Sequence, residues 1–148
     1  MAQTMTGTAV DQLNSLLRGE ISAAETYRIA IDKVEGGRTT ELASLREISR
    51  EHGENAQKLR DEIRRLGGGA DDSSGAWGAW AKTVEGVSSL FGDTSAIKAL
   101  KEGEEHGLKD YQDAVDDVEP SCRDLILETM IPAQKRHIDI LDAMIGRS

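Results

Sequence analysis

The chain of 148 residues is poor in several things at once: one cysteine, two prolines, two tryptophans, two tyrosines and one phenylalanine. A single thiol, Cys122, excludes an internal disulfide and a cysteine-rich zinc module, and with no histidine close by in sequence it reads as a bystander rather than a nucleophile. So few aromatic residues argue against a sheet protein built on β-branched and aromatic side chains. No run of 18 apolar residues occurs, and the start, MAQTMTGTAVDQL, has no basic segment ahead of an apolar one. Neither a spanning helix nor a signal peptide is therefore expected, and the protein reads as cytoplasmic. Positive charge is also scarce: 18 basic against 27 acidic residues leave a net charge of -9. Without a basic face to neutralise phosphates, nucleic acid and anionic membrane are not expected partners, and no small-molecule substrate is indicated.

What is present is charge and helical period. Charged residues make up 30% of the chain and hydrophobic ones 38%, the composition of long helices with charged outer faces. Chains of this length bury roughly 70% of their unfolded surface, which suits one domain spanning 1–148. The apolar stripe Val10, Leu13, Leu17, Ala24, Ile31, Val34 predicts a helix over about 8–35, capped by Thr8 with Asp11 and stopped at Gly36. A second stripe, Leu42, Leu45, Ala56, Leu59, Ile63, Leu66, predicts a helix over 39–66 that returns antiparallel to the first. Residues 67–92 read as a crossover containing a short helix and holding Trp77, Trp80 and Phe91, with the tryptophan pair covering an open end of the bundle. Ile97, Leu108, Val115 and Val118 predict a helix over 93–118. Leu127, Met130, Leu141 and Met144 predict another over 120–146. The fold class expected is all-α, a four-helix bundle of two antiparallel hairpins with one long crossover.

The chain also repeats itself. At an offset of 84, Gly19 pairs with Gly103, Glu20 with Glu104, Tyr27 with Tyr111 and Asp32 with Asp116, so two related hairpins make up the domain. Several of these identities are polar residues standing in gaps of the apolar stripes. Glu20 and Tyr27 complete the first stripe, Ser49 and His52 the second, Glu104 and Tyr111 the third, Gln134 and His137 the fourth. Glu20, His52, Glu104 and His137 lie at similar distances from their hairpin turns, roughly 24 Å at 1.5 Å per residue, so they converge on one inward layer. Burying a carboxylate costs several kcal/mol unless it is paired or coordinates a metal. Carboxylate and imidazole together suit iron, manganese or zinc. The alternative is a metal-free Glu–His hydrogen-bonded network that only fixes helix register.

With Glu20, His52, Glu104 and His137 on one layer and GEISAAETY around Glu20, the chain resembles the ferritin-like superfamily, rubrerythrin-type and bacterioferritin-type bundles in particular. Members carry a Glu on two helices and Glu-x-x-His on the other two, around a dinuclear iron or manganese centre. In its Trp-containing crossover and GEEHGLKDYQDAV around Glu104 it is also similar, over nearly its whole length, to an uncharacterised bacterial ferritin-like family classed only as a domain of unknown function. The resemblance implies a ferritin-like bundle, a homodimer, and a metal held by Glu20, His52, Glu104 and His137. It departs from the pattern where Ser49 and Gln134 replace both glutamates of Glu-x-x-His, so those two, with Tyr27 and Tyr111, are expected only at the margin of the site. Two glutamates offset only part of the charge of two cations, which favours one Fe, Mn or Zn ion or none and leaves any oxidase activity weak. The runner-up is a non-catalytic stress-related or scaffold bundle. Glu51, Glu54 and His106 are expected to point away from the layer, about 100° per residue turning them off its face. Pro132, inside the last helix, frees the carbonyl of Glu128 and should kink the chain before His137.

Overall fold

The computed structural model describes residues 2–34, 39–72 and 93–147. All their regular elements are helical: α1 (Ala2–Val34), α2 (Thr39–Arg65), α3 (Asp93–Ala114), α4 (Pro120–Leu125), a π-helical turn (Ile126–Met130) and α5 (Ile131–Arg147). α1 packs on α2, α3 on α5, and the two pairs meet through α1 with α3 and α2 with α5. No described helix is long and apolar enough to cross a membrane. The expected stop at Gly36 and the residues Trp77, Trp80 and Phe91 lie outside the described residues, as does the expected short crossover helix.

The core falls into two apolar clusters. One gathers Leu13, Leu17, Leu59, Ile63, Ile126 and Met130, the other Leu42, Leu45, Ile97, Leu100, Leu141 and Met144. Between them, on α1, α2, α3 and α5, stands a buried polar residue: Glu20, His52, Glu104 and His137 respectively. α2 therefore ends beside the first cluster, whereas α3 begins beside the second.

Helix boundaries differ from expectation for identifiable reasons. α1 starts at Ala2 rather than Thr8, because no proline precedes Thr8 to stop the helix, and Thr8 lies inside rather than at its cap. α3 stops at Ala114, four residues early. Glu119 is held extended (φ -54°, ψ 138°) by the ring of Pro120, so the chain must leave the helix beforehand, and Val118 N–H closes the turn onto Ala114 O. α2 ends as expected in a glycine cap: Gly67 has φ 82°, its N–H bonds Arg64 O, and Gly68 N–H bonds Ile63 O. Beyond it, a side chain at Gly68 would meet Val10 Cγ2 at 2.6 Å, so only glycine lets the chain pass α1 there. Asn14 of α1 then fixes the exit, donating to Gly69 O at 2.9 Å and accepting from Asp71 N–H at 2.8 Å, and Arg18 pairs with Asp71.

The π-turn is where the two hairpins fall out of step. Leu42 corresponds to Ile126 at an offset of 84, and both are buried; Leu45 corresponds to Met130, and His52 to His137, at an offset of 85. One extra residue has entered the second hairpin, and the turn at 126–130 absorbs it, with Ile131 N–H bonded to Ile126 O five residues back. The wider turn also removes the clash that Pro132 would meet in an uninterrupted α-helix. Leu127, expected on the core stripe, is consequently swung outward and is 47% exposed, its place taken by Ile126.

Candidate metal centre

Each residue of the layer arrives from its own helix at the height where the apolar stripe is interrupted. Glu20, His52, Glu104 and His137 are all buried, as are Tyr27 and Tyr111. His52 lies between the glutamates: Nδ1 is 2.6 Å from Glu20 Oε2, and Nε2 is 2.5 Å from Glu104 Oε1. The tyrosines bond crosswise. Tyr27 donates to Glu104 Oε1 at 2.7 Å, and Tyr111 donates to Glu20 Oε1, so each hairpin's phenol holds the other hairpin's carboxylate. Tyr27 also stacks on His52 with ring centres 5.5 Å apart, and His52 meets His137 edge-on at 4.7 Å.

His137 is less well supplied. Its Nδ1 is 3.4 Å from Glu104 Oε2 and its Nε2 is 3.6 Å from Glu51 Oε1. Neither ring nitrogen, nor Glu104 Oε2, has a hydrogen-bond partner among the described residues, although all three atoms are buried. His52, Glu104 and His137 each offer a ligand atom within 4.8 Å of the others. Glu20 belongs to the same layer but reaches the group through the His52 ring.

The electrostatics follow from burial and contact. Burial alone would push the pKa of His52 down, but Glu104 and Glu20 outweigh it and hold the imidazole's pKa well above its ordinary value. Burial would likewise raise Glu104, yet His52 and, further off, His137 bring it down to about 2. Both tyrosines are pushed well up, by burial first and then by the carboxylates they bond, so both remain donors.

The two remaining site residues expected from the sequence stand apart. Gln134 is buried but turns toward α3, donating to the backbone carbonyl of Glu104 at 3.0 Å. Ser49 is half-buried. His106 is exposed, as expected. Glu51 departs from its expected place: it does leave the face of His52, but the packing of α2 on α5 delivers it to His137 instead. A cavity of about 30 Å³ between α1 and α3, bordered by Gly19, Gly103 and Gly107, opens onto Glu20, His52 and Glu104. It has room for a water molecule, and the repeated Gly-Glu pairs leave that space because glycine has no side chain to fill it.

The fold and site together define an all-helical bundle whose core carries a buried His/Glu/His group able to hold a metal ion. The chain belongs to the DUF2383 family, a domain of unknown function, which matches residues 8–117. No curated protein and no solved structure matches it.

Proposed function

We propose that this chain is a metal-binding bundle of the ferritin-like type in which His52, Glu104 and His137 hold one iron, manganese or zinc ion, and Glu20 orients His52. The observation that carries this is the unmet demand around His137: two ring nitrogens and Glu104 Oε2, all buried, lack a hydrogen-bond partner among the described residues. Buried polar atoms are ordinarily satisfied, and leaving one unmade costs about 1–3 kcal/mol. A cation between the imidazoles and Glu104 would meet the demand of Glu104 Oε2 and of one His137 ring nitrogen, with ligand types suited to it. The metal-free network accounts for Glu20 and His52, whose polar atoms are bonded, whereas His137 makes only looser contacts, 3.4 Å to Glu104 and 3.6 Å to Glu51.

One ion fits better than two, because a single carboxylate, Glu104, belongs to the compact group. The ferritin-like assignment is supported by the connection: α2 ends beside one core cluster and α3 begins beside the other, as in bundles with one long crossover. When bound, such an ion would polarise a water or small anion admitted by the cavity. Elemental analysis of protein purified from its native host, followed by zinc or cobalt(II) titration of the chelated protein, tests the reading. About one ion per chain, lost in His137→Leu, is expected. A wild type that takes up no metal would leave the layer as a hydrogen-bonded network.

A further inference from the structure

His52 and His137 share a pattern. Each turns one ring nitrogen toward Glu104 and the other toward a further carboxylate, Glu20 for His52 and Glu51 for His137. Glu51 comes from α2, and its side chain is only 13% exposed. On its outer side the same oxygen, Oε1, meets Arg136, whose side chain is 53% exposed. Glu51 thus stands between a buried imidazole and a guanidinium at the surface.

We propose that Glu51 is the positioning carboxylate of His137. It stands 3.6 Å from Nε2, beyond hydrogen-bond distance but placed to accept the Nε2–H as it closes, which leaves Nδ1 bare toward Glu104, and Arg136 competes for the accepting oxygen. A neutral imidazole carries one ring hydrogen, so fixing it on Nε2 frees the lone pair of Nδ1. The other tautomer would give Nδ1–H to Glu104 Oε2 and could not ligate through Nδ1. Metal-binding histidines ordinarily donate their second N–H to a carboxylate, carbonyl or water, and losing that partner typically costs 10–100-fold in affinity. The pair of contacts makes opposite demands: Glu51 is needed by His137, and Arg136 draws it away.

This rests on the metal reading above, and the test separates the two. Cobalt(II) affinity is measured by chelator competition for wild type, Glu51→Ala, Glu51→Gln and Arg136→Gln, with circular dichroism to confirm folding. Glu51→Ala should bind about 10–100-fold more weakly at unchanged stoichiometry. Glu51→Gln, which keeps a carbonyl acceptor, should recover much of the loss, and Arg136→Gln should bind more tightly than wild type. Wild-type affinity in Glu51→Ala, or weaker binding in Arg136→Gln, would overturn the role of Glu51 while leaving the metal site standing. If wild type binds no cobalt, the metal reading fails. Nitrogen-15 NMR of the metal-free protein then decides the pairing: an Nε2–H tautomer of His137 that becomes mixed in Glu51→Ala supports it, and an unchanged tautomer overturns it.

Discussion

His52 Nε2 lies 2.5 Å from Glu104 Oε1 inside the bundle, with both side chains buried. Contact at that distance joins an imidazole whose pKa is raised to a carboxylate whose pKa is lowered to about 2. The metal-free protein thereby carries a proton where the proposed site would carry a cation.

The stability of the chelated protein should accordingly have a maximum in mildly acidic solution. The Glu104 contribution is complete above the ordinary glutamate value of 4.5 and is lost as pH falls toward about 2. The His52 contribution is complete below the ordinary histidine value of 6.5 and is lost as pH rises through its raised folded value. Urea midpoints measured from pH 3 to pH 10 with chelator present should be highest between those two ordinary values. A midpoint that climbs steadily through neutrality would contradict the pairing.

Breaking that pair should cost more than removing the whole layer. His52→Leu leaves two buried carboxylates without their cation and should destabilise the chelated protein by roughly 3–5 kcal/mol. Replacing Glu20, His52, Glu104 and His137 together with apolar residues of similar volume should be neutral or stabilising by roughly 1–4 kcal/mol. Equal losses in the single and quadruple variants, compared by denaturant unfolding, would refute the network.

Metal uptake should displace the proton from His52, because a ligating imidazole must be neutral. Calorimetric titration with zinc at neutral pH, repeated in buffers of different ionisation enthalpy, should show about one proton released per ion, and affinity should rise with pH. An apparent enthalpy independent of buffer would count against His52 as a ligand.

Restoring the missing carboxylates should enlarge the site. In Gln134→Glu a carboxylate would face the Glu104 carbonyl that Gln134 now bonds, and repulsion there favours its turning into the layer. Together with Ser49→Glu this adds two negative charges, and metal content should rise from about one toward two ions per chain. Unchanged stoichiometry in the double variant would show that carboxylates are not what limits the site.

Deleting Leu127 together with Pro132→Ala should be tolerated, giving a continuous α-helix in which Ile126, Met130 and His137 keep their places. Deleting Lys135 instead, between the turn and His137, should rotate that histidine by about 100° and abolish metal binding. Cobalt titration and thermal unfolding of both variants check this; comparable loss in the two would mean that the π-turn does not carry the extra residue.

Much of the site was legible because buried charge is costly: Glu20, His52, Glu104 and His137 interrupt apolar stripes, and only convergence explains four such interruptions. The offset between Glu20 and Glu104 likewise announced the duplicated hairpins. What stayed hidden depends on relations between helices. Helical period turns Glu51 away from His52, but only the packing of α2 on α5 shows that the turn leads to His137. The π-turn left one trace, the change of offset from 84 at Glu104 to 85 at His137, whose meaning appears only once Leu127 is seen outside and Ile126 inside. Asn14, which fixes Gly69 and Asp71, had no signal at all, because a lone amide in a helix is as well suited to solvent.

The crossed tyrosine bonds carry a consequence for how such a molecule can be divided. Tyr27 holds Glu104 and Tyr111 holds Glu20, so neither hairpin satisfies its own carboxylate. A hairpin on its own would leave its glutamate without a phenol and its phenol without a glutamate, whereas two identical hairpins facing each other across a two-fold axis would supply both at once. That is the reciprocity of an isologous interface, in which the same patch serves as giver and receiver. The present chain encloses such a reciprocal contact within one polypeptide, in which one half keeps a regular helix, α2, and the other carries the π-turn.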